Sequence, residues 1–245
     1  MSSRRLKRLG QGVAALTVLF MAAPAWSASS PVAMTPEQCA AQPALGAGYI
    51  ARYEVAGPKA QVSRLTLTHI PDWSAYDAGG ATIRLWHALP GDDAELYRIF
   101  DDAQRSILYT SSGLVLLKQS RPWHRVAELA DAQAMTAAGE AQDACGRQRH
   151  YTQKTADQTI DVWAYVDSGL VTALTVRPAT IDVAKPLITY RLAAVAGGPE
   201  AARAHVARWR GYQSTDFADI GDNESDPFLQ RMIHQGFIEH PGHSH

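Results

Sequence analysis

QVSRLTLTHI, residues 61–70, alternates with a period of two: Leu65, Leu67 and His69 take one face of an extended chain, and Arg64, Thr66 and Thr68 take the other. A strand with one buried face reads this way. ATIRLWHAL (81–89) repeats the pattern, setting Ile83, Leu85, His87 and Leu89 against Thr82, Arg84, Trp86 and Ala88. ELYRIF and RSILYT then flank DDAQ (101–104), a four-residue hairpin loop. Further on, TIDVWAYV, LVTALTVR and PLITYRLAAV alternate in the same manner, with turns at AD and at Asp167-Ser168-Gly169. About eight antiparallel strands are expected.

The middle of the chain breaks the alternation. Residues 121–144 are rich in Ala, Glu and Gln, and Val126, Leu129 and Ala130 fall at helical spacing, which predicts one or two helices. Two short helices are expected near the C-terminus. GPEAARAHVARWRG has Pro199 at its first position and Gly211 as its stop, and SDPFLQRMIHQG has Asp226 as N-cap, Pro227 next and Gly236 as its stop. TPEQCAAQ reads as one more short helix near the start, capped by Thr35. The fold class is α+β: a curved antiparallel β-sheet or half-barrel, with helices inserted mid-chain and two at the C-terminal end.

The first 28 residues read as a cleavable leader. Arg4, Arg5, Lys7 and Arg8 precede an apolar stretch (13–23) too short to span a bilayer, and small residues follow. Ser3-Arg4-Arg5 matches the start of a twin-arginine signal but lacks the aromatic-leucine pair, which favours the Sec route. Residues 29–48 form a lead-in, 49–236 a single domain and 237–245 a flexible histidine-rich tail. Periplasmic export is expected, and no later apolar run is long enough to cross a membrane. Removing the leader's four cations and no anions takes the balance from 23 basic against 24 acidic residues to 19 against 24. This mildly acidic balance gives no support to nucleic-acid binding or to an anionic-membrane patch.

Two cysteines, Cys39 and Cys145, are expected to form a disulfide in an exported protein. Closing a loop of about 107 residues would stabilise the fold by roughly 4–5 kcal/mol. A redox pair competes weakly, because the spacing is not C-x-x-C.

The architecture resembles the lipoprotein-localisation (LolA/LolB-like) carriers of the Gram-negative periplasm. The resemblance covers roughly residues 49–195 and rests on the leader, the strand order and the mid-chain helices. It implies a half-open antiparallel barrel, lidded by helices, that holds acyl chains. No shared motif carries a functional residue over, and the C-terminal helix pair departs from the pattern. The stretch DFADIGDNESDPF is similar to a signature of proteobacterial envelope proteins and attaches no function.

Local chemistry is sparse. GAGYIA (46–51) fits G-x-G-x-x-A, yet strand-like sequence follows it, so it reads as a turn entering a strand rather than a pyrophosphate site. G-x-S-x-G, H-E-x-x-H and the P-loop are all missing. Pairing of the two quoted strands as a hairpin around PDWSAYDAGG would put His69 and His87 on one face, several residue pairs apart and too far to share an ion. The acidic run from Asp216 to Asp226 lacks EF-hand spacing and reads as a capping loop. Trp73, Tyr76, Trp86, Trp123, Trp163 and Tyr165 could line an apolar pocket on a concave sheet, with Trp86, Trp163 and Tyr165 put forward as the candidates and ordinary core packing the plainer alternative. His240, His243 and His245 form a tail that could hold Zn, Cu or Ni weakly.

Three functions follow in order. A periplasmic carrier or accessory envelope protein comes first, taking a lipid or other hydrophobic ligand or an envelope protein partner. A metal-associated protein comes second, and an enzyme with a non-local active site third.

Overall fold

The computed structural model describes residues 30–35, 47–58, 62–179, 186–223 and 225–234. The leader, the expected helix beginning at Pro36, Cys39 and the tail with His240, His243 and His245 lie outside the described residues.

Twelve strands form one open, curled sheet. β1 (Tyr49–Ala56), β2 (Val62–Ile70), β3 (Trp73–Asp77), β4 (Ile83–Leu89), β5 (Asp93–Phe100) and β6 (Arg105–Tyr109) make one meander. β7 (Thr136–Asp143), β8 (Gly146–Lys154), β9 (Gln158–Tyr165), β10 (Val171–Pro178) and β11 (Ile188–Gly197) make a second, and β12 (Gln213–Asp216) is added later. The order is β12-β6-β5-β4-β3-β2-β1-β11-β10-β9-β8-β7, and only the β12–β6 pairing is parallel. The α+β half-barrel expected from the sequence is present. Among the described residues no helix is long and apolar enough to cross a membrane.

This order dictates the rest. β6 and β7 are consecutive in the chain but lie ten strand positions apart, roughly 48 Å in a flat sheet. The segment between them must therefore cross the sheet. It does so as a strap containing α1 (Ser111–Leu116) and α2 (Trp123–Val126). Curling shortens the path. Tyr53 on β1 reaches past β11 and donates its hydroxyl to the Val171 carbonyl of β10 at 2.9 Å, and both groups are buried. Tyr49, Tyr53, Leu65 and Leu67 consequently share one apolar cluster with Tyr165 and Leu170.

Both sheet faces are covered around β3–β5. On one face Trp86, Leu96, Phe100 and Tyr109 pack with Leu114 of α1, Val126 of α2 and Phe228, Leu229 and Met232 of α4 (Pro227–His234). On the other, Trp73, Ala75, Leu85 and Ile99 pack with Val206 and Trp209 of α3 (Pro199–Arg210). Among the described residues, the expected starts of α3 and α4 are in place. Asp226 accepts from Phe228 N–H at 2.8 Å, and Pro199 opens α3. Asp226 also receives Arg105 Nη2 at 2.8 Å, which ties α4 to β6.

Three expectations change. The first concerns β3, which occupies the stretch read as a hairpin loop and separates β2 from β4. In register, His69 faces Ser74 and Ser74 faces Trp86, whereas His87 faces Trp73. His69 and His87 therefore sit on opposite sheet faces, not one. The second is the mid-chain helix, which shrinks to the single turn of α2 and a 3-10 turn at Ala132–Ala134, and residues 136–143 become edge strand β7. Helix propensity there amounts to a few tenths of a kcal/mol per residue, and the hairpin with β8 overrides it. Asp143 fixes that hairpin: its carboxylate accepts from Cys145 N–H (2.8 Å), Gly146 N–H (3.1 Å), Gln148 Nε2 (2.8 Å) and Tyr165 hydroxyl (2.6 Å). Burial pushes the Asp143 pKa up, and these hydrogen bonds outweigh it and hold the group low. The third change is the count of strands, twelve rather than about eight.

GAGYIA does enter a strand. A Cβ on Gly48, at φ +135°, would lie 2.8 Å from the His69 carbonyl oxygen, so the backbone passes there only as glycine.

Candidate functional site

Between the strap and the sheet lies a cleft of about 700 Å³, within the size range of small-molecule sites. Strand alternation supplies its floor: Ile160 on β9, Leu174 and Val176 on β10, and Ile188 and Tyr190 on β11 all point to the strap side. Tyr76 on β3 and Arg84 and Trp86 on β4 form a second wall. The strap roofs it with Val126, Leu129, Ala130 and Met135.

The strap is sewn to β3. Ser74 Oγ donates to the Ala127 carbonyl, and the Tyr76 hydroxyl sits 3.0 Å from the Val126 carbonyl oxygen and 2.8 Å from that of Glu128. At its outer edge Trp123 N–H donates to the Asp92 carbonyl at 2.8 Å, and His124 meets the Asp92 side chain. The roof is therefore an ordered element held by groups at the centre and rim of the sheet.

Charge in the cleft is uneven. Arg84 lies 5.7 Å over the Tyr76 ring, and Arg121 and Arg125 line the cleft from the strap. Among the described residues none of the three lies in an ion pair. The opposing carboxylates are Glu128 and Asp131. Burial, then the nearby Asp131 carboxylate, push the Glu128 pKa up to about 7. Its carboxylate abuts the β9–β10 turn, where a Cβ on Gly169 (φ +70°) would lie 2.9 Å from Glu128 Oε1. Burial, then the nearby Glu128 carboxylate, also push the Tyr76 pKa up, with Arg84 opposing, so its hydroxyl stays protonated and donates.

Of the aromatics expected to line a pocket, Tyr76 and Trp86 line this cleft. Trp163 lies on the opposite side of β9 from Val162, stacked on His150 with ring centroids 4.8 Å apart. Tyr165 joins the Tyr49–Tyr53 cluster and gives its hydroxyl to Asp143. Three aromatics in sequence thus serve three places. Cys145 occupies the β7–β8 turn and packs against the Tyr49–Tyr53 cluster.

Two arrangements have the residue types of catalytic groups. His69 Nδ1 lies 2.8 Å from Ser74 Oγ, but Ser74 is wholly buried and its proton is committed to the Ala127 carbonyl. Burial also pulls the His69 pKa down to about 4, with a hydrogen bond to the Ala127 backbone opposing. His150, Asp161 and Arg177 form a chain on the far face (3.1 and 2.6 Å) that braces β8, β9 and β10. Among the described residues no cluster of three His, Cys, Asp or Glu side chains is arranged to hold a metal ion.

Sequence reading missed Arg84, Glu128 and the path of the strap across the sheet. One signal was available: from residue 103 to 127 the chain has no Asp or Glu, so Glu128 stands alone among apolar neighbours.

No protein-family model and no curated protein matches the chain. Among solved structures it is similar to MucB in the Pseudomonas aeruginosa MucA/MucB complex, at 9% identity and a TM-score of 0.33, over 65% of this chain and 54% of that one. A second MucB structure gives 10% identity and a TM-score of 0.34 over 66% and 56%. An outer membrane lipoprotein-sorting protein domain from Vibrio parahaemolyticus gives 6% and 0.32 over 70% and 95%. The chain spans about half the length of the MucB chains it matches. Similarity at this level carries no functional argument.

Proposed function

We propose that this chain is an exported carrier or accessory protein of the periplasm, whose cleft holds the apolar chain of an amphiphile. The observation behind this reading is the roofed apolar cleft of about 700 Å³ between β9–β11 and the strap. Burying a chain there removes apolar surface from water on both sides, at roughly 25 cal/mol per Å². Arg84, Arg121 and Arg125 would face the polar end and favour an acidic headgroup. Export is supported by the basic and apolar leader composition of residues 1–28. Native mass spectrometry of the protein purified from its own envelope tests the reading. A lipid-sized mass retained in the folded protein and released on unfolding is expected. Repeated recovery of ligand-free protein overturns it.

A further inference from the structure

Among the described residues, α1 carries the two most exposed large apolar side chains, Leu116 at 81% and Val115 at 59%. Their exposure is not slack in a loop. Leu114, one residue before, is fully buried, and Leu117, one after, packs on the same cluster. Thr110 Oγ caps Gly113 N–H at 3.2 Å, Ser111 Oγ donates to Asp93, and both Gln119 N–H and Ser120 N–H donate to the Leu114 carbonyl. The helix therefore holds two apolar side chains out in water in a fixed geometry.

The chain that follows the tip is cationic, while the Asp93 carboxylate sits at the start of α1 on Ser111. Lys118, Arg121 and Arg125 follow the tip, all exposed, and no described carboxylate forms an ion pair with any of them. The acidic overall balance hides this, because residues 103–127 contain no Asp or Glu at all. Two side chains are too little for a stable protein interface, which covers about 800 Å² per partner. They suffice for shallow insertion at a bilayer boundary when cations flank them.

We propose that the α1 tip docks the protein on an anionic lipid surface, with Val115 and Leu116 at the headgroup–acyl boundary and Lys118, Arg121 and Arg125 against the headgroup charge. Arg121 and Arg125 also line the cleft, so docking brings its mouth to the lipid. The docking goes beyond the carrier reading and requires no ligand in the cleft.

Flotation of the full chain with phosphatidylcholine vesicles, alone or mixed with phosphatidylglycerol, tests it. Partition onto the anionic vesicles is expected, and at least tenfold less onto neutral ones. L116E should lower partition at least tenfold with an unchanged circular dichroism melt. K118E should lower it about fivefold, and added salt should weaken it further. V176W, which fills the cleft, should float like the native protein. Equal partition onto neutral and anionic vesicles, or full partition by L116E, overturns the proposal. So does flotation lost in V176W alone, which would make the signal lipid uptake by the cleft. Self-association abolished by L116E would assign the tip to a second copy, and that too overturns it.

Discussion

His124 Nδ1 lies 2.5 Å from Asp92 Oδ2, and the His124 backbone N–H donates to Asp92 Oδ1 at 3.0 Å. One carboxylate thus clips the strap to the β4–β5 turn. The His124 backbone N–H, aided by its side chain and opposed by desolvation, holds the Asp92 pKa below the usual carboxylate value. Asp92 sits at φ +64°, which Asn tolerates well. D92N should therefore keep the turn while weakening the clip. Amide hydrogen exchange over residues 122–131 should quicken about tenfold with little change in melting temperature, the mark of local opening. Unchanged exchange would show that Tyr76 and Ser74 hold the strap alone.

Glu128 predicts a pH dependence of stability. Its folded pKa of about 7 lies above the ordinary 4.5, so between these values the folded chain keeps a proton that the unfolded chain has lost. Stability therefore falls as pH rises from about 4.5 to 7 and stays level above that, by on the order of 3 kcal/mol at most. His69 acts in the opposite sense. Its folded pKa of about 4 lies below 6.5, so its contribution is intact above 6.5 and lost as pH falls toward 4. E128Q should remove the first slope and leave the second. At pH 8 it should raise the melting temperature by about 5–10 °C at most. A melting profile identical to the native one would place the Glu128 carboxylate in water.

The Cys39–Cys145 pairing is open to direct measurement. Intact mass with and without reductant should differ by two hydrogen atoms, and C145S should lower the melting temperature of the oxidised protein. Free thiols in protein recovered from an oxidising compartment would reject the pairing.

The histidine tail is a separate proposal. Truncation after Ile238 should abolish any weak, exchangeable Zn²⁺ or Cu²⁺ binding, because His240, His243 and His245 go with it. Equal titration curves for the intact and truncated proteins would remove the tail from consideration.

The legible parts of the molecule were the locally encoded ones. Period-two runs gave β2, β4 and β10, and Asp226-Pro227 and Pro199 marked helix starts that the structure keeps. β3 was hidden because five residues between two turns also read as loop. β7 was hidden because its Ala, Glu and Gln composition favours a helix until β8 pairs with it. The cleft was mostly illegible for a different reason. Strand order, which no local pattern encodes, sends the strap across the sheet and brings Val126 and Glu128 over Tyr76. Trp86 could be guessed from its own strand. Trp163 could not be excluded that way, since its face depends on what covers β9.

Titration with a fluorescent long-chain fatty acid tests the cleft most directly, using the native protein, V176W in the cleft floor and A193W on the exposed side of β11. Saturable binding by the native protein and by A193W is predicted, with affinity at least tenfold weaker in V176W. No saturable binding by the native protein, or equal affinity in V176W, would contradict a chain held between the strap and β9–β11.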